Sequence, residues 1–346
     1  MKRFTQTLLL LFVSFCLFSF LIQISPVEAS SDTLSEDLSP YASEYLDSVN
    51  VKKSQASKSE EYKQIINALN EYYADDYALY VRIYKLFRSD IPDILSSERD
   101  KKISAMYALM DLYEKCDIET KAMIKTFFFQ YAKDSGEKTL FAFYEQIRSA
   151  KKADEVQTKN SGFNANFNPY NAATWAYNNY DKFDSNFPNC SNIGGDCTNF
   201  ISQALYYGGM QMHNNWYCHK KNSSYPTPSN TTQLDYSWTL SDPSPWISVK
   251  RFTEYWSDHT DDYYEFSKSD YNNNHGTYFD KPIYIGDVVI LCTRTLWWTT
   301  PEHAMIITRY DSVNKDFLLA GHTIARQKHP LLTAISLYDQ VRFLCL

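Results

Sequence analysis

Gly194-Gly195-Asp196-Cys197-Thr198-Asn199-Phe200 places a tight turn, a capping residue and a thiol in immediate succession. The two glycines supply the turn. Asp196 is a residue type favoured at an N-cap, which puts Cys197 at the first helical position. Phe200, Ile201, Ala204 and Leu205 give the helix predicted over Cys197 to Tyr207 one apolar face, and Gly208-Gly209 closes it. A helix N-terminus favours negative charge and so favours a thiolate. Its free N–H groups can also hold a developing oxyanion. An Asp196 carboxylate facing the sulfur would oppose the first effect. A lone Cys at a helix start is more often a buried structural residue, so the chemistry needs partners elsewhere.

A thiol nucleophile needs a base. Glu302-His303-Ala304-Met305-Ile306-Ile307 puts His303 at the start of an apolar strand, from which a ring could point across to a helix terminus. The next turn is predicted over Asp311 to Asp316. Reflection about that turn pairs His303 with Ile324, leaving His322 two residues off register, on the same face and within diagonal reach. A bulge would break this pairing. The alternative for His322 is a satisfied strand histidine. His259, His275 and His329 sit in polar, turn-rich surroundings and are read as solvated. His213, Cys218 and His219 lack the fourth partner that a structural zinc wants, so no metal is expected.

Around these motifs, a helix is predicted over Pro169 to Lys182 and another over Ser248 to Ser257. Residues 210–245 are rich in Asn, Ser, Tyr and Pro with no clear period. Strands are predicted over Ile285 to Cys292, Ala304 to Tyr310, Phe317 to Thr323 and Val341 to Leu346. Helices first and an antiparallel sheet after is an α+β order.

The chain upstream differs. At roughly 150 residues per domain, 346 residues suggest about two domains. Charged residues are denser before residue 158, and all seven tryptophans follow it. Residues 30–158 read as a helical bundle. Tyr62, Ile65, Ile66, Leu69, Tyr72 and Tyr73 recur at helical steps, and the stripe continues through Leu79, Ile83 and Phe87. Further helices are predicted over Ser97–Tyr113, Ile118–Lys133 and Lys138–Lys151, with Gly136 between the last two. No catalytic constellation and no repeat stands out here. Residues 159–346 form the second region.

Lys2 and Arg3 precede an apolar run from Leu8 to Ile24, followed by Pro26, Val27 and Ala29. This reads as a secretory signal, residues 1–29, cleaved after Ala29; the alternative is an uncleaved membrane anchor. No stable membrane insertion is expected after cleavage. The remaining cysteines, Cys116, Cys190, Cys197, Cys218, Cys292 and Cys345, show no compact disulfide framework. With 34 basic and 41 acidic residues, the net charge of -7 does not favour nucleic acid as a partner. No Gly-x-Ser-x-Gly, phosphate loop or dinucleotide glycine pattern is present, and no carboxylate pair for sugar hydrolysis is isolated. No cofactor is expected.

The second region resembles the putative amidase domain family found in secreted proteins of Gram-positive bacteria, which is similar to the CHAP and NlpC-type cysteine peptidases. The resemblance covers about residues 168–346. It rests on Tyr170-Asn171-Ala172-Ala173, on Asp196 to Leu205, on Gly208-Gly209, on Ser237-Trp238 and Trp246, on Gly286-Asp287-Val288-Val289, on His303 with its strand, and on Gly321-His322-Thr323. It implies a papain-like domain with a Cys helix packed on an antiparallel sheet. Cys197 would be the nucleophile, His303 the base and His322 the third catalytic residue. Asp196 matches the position that holds a substrate amine in NlpC-type relatives. The long segment 210–245 departs from the compact peptidases, and residues 30–158 lie outside the resemblance.

The function expected is that of a secreted or cell-wall associated cysteine amide hydrolase acting on peptide or peptidoglycan bonds. A second reading is an inactive extracellular module that binds peptides or glycans by aromatic stacking. A third makes the helical region an inhibitory or partner-binding cover over the Cys cleft.

Overall fold

The computed structural model describes residues 38–56, 59–156, 166–213, 215–260 and 262–346. The expected leader, its cleavage point after Ala29 and the expected boundary at 158 lie outside the described residues.

The first region is helical throughout: α1 (Pro40–Ser48), α2 (Lys53–Ala56), α3 (Glu60–Phe87), α4 (Arg99–Leu112), α5 (Ile118–Tyr131) and α6 (Lys138–Val156). Local sequence sets several of their ends. The Ser39 hydroxyl caps α1 by accepting from the Ala42 N–H, and the Asp117 carboxylate caps α5 by accepting from Thr120. The stripe Ile65, Ile66, Leu69, Tyr72, Leu79 and Ile83 turns inward on α3 and meets Met106, Leu109, Phe128 and Tyr131. Buried Lys102 donates to Asp76, which also accepts from Tyr41 at 2.7 Å and Tyr131 at 2.8 Å, so three donors meet on this buried carboxyl.

The second region runs α7 (Pro169–Asn179), α8 (Cys197–Tyr207), β1 (Cys218–Lys220), α9 (Thr231–Ser237), β2 (Trp238–Leu240), α10 (Val249–His259), β3 (Asp262–Ser267) and α11 (Lys268–Phe279). It continues through β4 (Val288–Arg294), β5 (Thr299–Asp311), β6 (Asp316–Gly321), β7 (Arg326–Pro330), α12 (Leu331–Ala334) and β8 (Gln340–Cys345). Six strands form one antiparallel sheet in the order β3-β8-β4-β5-β6-β7. The class is α+β. α7, α8 and α10 cover one face, against Val288, Ile290, Ala304, Ile306 and Ala320. α11 and α12 cover the other, against Val289, Leu291, Met305, Ile307 and Phe343.

Three expectations need correction. Residues 210–245 are not without regular structure: they hold the β1–β2 hairpin and α9, gathered around the buried rings of Trp216, Trp238 and Trp246. Two edge strands, β3 and β7, are additional; β7 is polar, and the adjacent Tyr263 and Tyr264 of β3 break the simple apolar alternation. The turn between β5 and β6 does fall at Asp311–Asp316, but a bulge between Ile307 and Arg309 shifts the register beyond it. Ile306 therefore faces Ala320, not the residue that simple reflection gives.

The two regions share a core. Trp298, from the connection between β4 and β5, is fully buried among bundle rings, 5.5 Å from Tyr41 and 5.2 Å from Tyr131. The Trp297 indole donates to the Ser97 carbonyl at 2.7 Å, and Asp134 accepts from the Thr299 N–H at 2.7 Å. Between α3 and α10, Asp75 binds Arg251 through two bonds of 2.7 and 2.8 Å and Lys250 at 2.6 Å. Lys250 is 1% exposed, so this pairing is shielded from solvent.

Burial acts to raise the Asp75 carboxyl, but Lys250 and Arg251 outweigh it and pull the group down to about 2. The stability it contributes is complete above the unfolded value of about 3.9 and is lost as pH falls from there through about 2. Asp75→Ala leaves Lys250 with Glu254 at 2.6 Å and the face of the Tyr72 ring. The expected cost in urea unfolding at pH 7 is about 3 kcal/mol, the lower end for breaking a buried pair, and the variant should lose part of the wild-type acid lability. Unchanged stability, or separate unfolding transitions for bundle and sheet, would contradict the shared interface.

Candidate active site

Gly194 and Gly195 both adopt left-handed backbone, at φ +111° and +104°, which is why glycine stands at both positions before α8. Asp196 follows as the N-cap by position: its carbonyl accepts from the Phe200 N–H at 2.9 Å. Its carboxylate does not cap the helix. One oxygen accepts from the Cys190 N–H at 2.8 Å and from the Asn199 side chain at 2.7 Å. The other meets His322 Nδ1 at 2.8 Å. The carboxylate expected to hold a substrate amine is thus buried with both oxygens bonded inside the protein.

His322 lies on the helix side of the sheet. Its ring stacks on Phe200, with centroids 4.0 Å apart, and its Nε2 meets the Asn179 carbonyl at 3.2 Å. Asn199 completes the arrangement, donating to the Pro188 carbonyl at 2.6 Å and accepting from the Trp246 indole at 3.0 Å.

Cys197 is 4% exposed and lines a pocket with Cys190, Gly195, Thr198 and Glu302, closed on one side by Gln64 and Asn67 of α3. Burial pushes its thiol up; the Ala304 N–H and the Thr198 hydroxyl at 3.7 Å act against that rise, and Asp196 adds to it. The contact with Ala304 follows from strand geometry. Ile307 exchanges bonds with Asp287 and Gly286 on the β4 side. By two-residue alternation His303 also bonds toward β4, whereas Ala304 and Ile306 bond toward β6. β6 pairs with β5 no farther than Ala320 opposite Ile306.

His303 stands opposite Leu291 on the other face of the sheet and lines a second pocket with Thr323, Arg326, His329 and Tyr338. The two pockets share Gln64 and Glu302. Burial pushes the His303 imidazole down to about 4; Glu302 opposes this and Arg326 adds to it. His303 and His322 are therefore not brought together. The bulge puts them on opposite faces, which corrects the same-face expectation. Among the described residues neither histidine hydrogen-bonds to Cys197. His329, read as solvated, lines the His303 pocket because β7 turns it inward.

Residues 166–345, more than half of the chain, match the family described as Putative amidase domain. The chain belongs to that family. No curated protein and no solved structure matches it. The family description connects this amidase domain with amide hydrolysis at a coarse level.

Several contributors to the candidate site carry no local sequence signal. Glu302 enters the Cys197 pocket as the extra residue of a bulge opposite Leu291 and Cys292. Thr323 accepts from the Asp196 N–H at 3.2 Å across 127 positions. Gln64 and Asn67 come from the helical region, outside the matched residues. The Gly286-Asp287 motif is structural here. Gly286 lies against Pro169, and Asp287 accepts from the Tyr284 and Leu346 N–H groups. Among the described residues no cluster of His, Cys, Asp and Glu is arranged to hold a metal.

His322→Ala removes one donor from a buried carboxylate and should lower stability by about 2 kcal/mol or more in chemical denaturation. A variant as stable as the wild type would show that the Asp196–His322 pair does not hold α8.

Proposed function

We propose that this amidase-family chain cleaves amide bonds with Cys197 as nucleophile and His303 as base. One observation carries the reading: Cys197 lies at the N-terminus of α8 in a pocket that shares Gln64 and Glu302 with the pocket of His303. The first turn of α8 supplies N–H groups without helical partners, suited to an oxyanion. For this step the unprotonated His303 turns from its own face of the sheet toward the cleft where the two pockets meet at Gln64 and Glu302 and takes the thiol proton, and the thiolate attacks the carbonyl carbon. Collapse of the adduct breaks the C–N bond, and the amine leaves with the proton from His303. Water then releases the acid and frees the thiol.

In this reading the Cys helix on an antiparallel sheet is papain-like, as in the CHAP and NlpC-type peptidases that the sequence resembles. His322 and Asp196 are positioning residues that hold α8 rather than groups that touch substrate. The leader ending at Ala29 directs the protein to the cell exterior, which makes peptide or peptidoglycan amides the substrate class. The upward shift of the thiol favours a second reading, a binding module without turnover.

Amine release from purified peptidoglycan and from N-acyl peptides separates the two. Cys197→Ala should abolish release, and His303→Ala should lower it by about 100- to 10,000-fold. His303 is unprotonated down to about pH 4, so the acid limb of kcat/KM should fall near pH 4 rather than near the ordinary imidazole value. Release that survives Cys197→Ala would overturn the proposal.

A further inference from the structure

We infer that α3 of the helical bundle is a substrate-binding wall of the Cys197 cleft, and that Gln64 and Asn67 read the peptide backbone of an extended substrate. This rests on the reading of Cys197 as nucleophile. Gln64, Asn67 and Glu71 lie on one face of α3, and that face lines the Cys197 pocket. The side-chain amides of Gln64 and Asn67 stand directly against Gly195 and Gly194. A methyl group on either glycine would come within 2.7 Å of the Gln64 nitrogen or 2.9 Å of the Asn67 nitrogen. Neither amide has a hydrogen-bond partner among the described residues, whereas Glu71 is bonded to Ser248 at 2.9 Å. Gln64 also lines the His303 pocket, so it stands where the two pockets meet.

A carboxamide offers one acceptor oxygen and two donor hydrogens, the complement of a peptide C=O and N–H. Two such groups, three residues apart, fit an acyl chain with at least one peptide unit beyond the bond cleaved. A wall is favoured over a removable cover. Swinging α3 away would separate Asp75 from buried Lys250 and from Arg251, and would uncover Trp298.

The test compares two thiol reagents on the full chain: iodoacetamide, which needs no recognition, and an N-acetyl dipeptidyl chloromethyl ketone. Gln64→Ala and Asn67→Ala should each slow Cys197 labelling by the peptidyl reagent about tenfold and leave iodoacetamide labelling within twofold of wild type. Equal slowing of both reagents, or no effect on either, overturns the wall. Faster labelling by the peptidyl reagent would make α3 an obstruction and overturn it as well. Wild-type protein whose Cys197 reacts with neither reagent would instead sink the nucleophile reading, and the wall with it.

Discussion

A carboxylate taken out of water is costly unless it is hydrogen-bonded, and Asp196 is bonded on both oxygens. Its partners come from three separate stretches: the Cys190 loop, the first turn of α8 and the residue after β6. Satisfying the carboxylate fixes all three relative to one another. His322 is held flat against Phe200, Asn199 is left free to receive the Trp246 indole, and α8 is set end-on to the edge of β5. The position of the thiol is a consequence. The same burial that makes the carboxylate a fixed point also pushes the thiol up.

The helical bundle is bound to this arrangement by Trp298, which is fully buried, and by an ion cluster that is largely buried. Trp298 leaves the sheet connection to enter the bundle core, and Lys250 and Arg251 of α10 grip Asp75 of α3. Neither contact resembles the wet, polar surface of domains that move freely. The pocket beside Cys197 is thus built by two regions whose compositions differ sharply, and the bundle contributes its wall rather than a tethered neighbour.

The local parts of this structure were legible in the sequence. The turn, N-cap position and helix from Cys197 to Tyr207, the apolar stripe of α3 and the turn at Asp311–Asp316 all follow from short-range pattern. The relation of the two histidines was not. β5 is buried on both faces through most of its length, so its residues show no alternation from which a register can be read. A single bulge near Thr308 then exchanges faces without leaving a mark on the apolar pattern. The role of Asp196 was hidden for a related reason. An N-cap residue type predicts a bond to its own helix, but a histidine 126 positions away competes for the same oxygen and wins. Long-range contacts such as Gln64 on Gly195 have no sequence signature of any kind.

Catalysis asks that a buried thiol and a histidine in the adjoining pocket exchange a proton. The pH profile of Cys197 alkylation by iodoacetamide, followed by peptide mapping in wild type and in His303→Ala, addresses this without a known substrate. The account predicts that labelling of Cys197 between about pH 6 and pH 8 falls at least about tenfold when His303 is removed. Identical profiles for the two proteins, both rising only near the value of a free thiol at about 8.5, would contradict it.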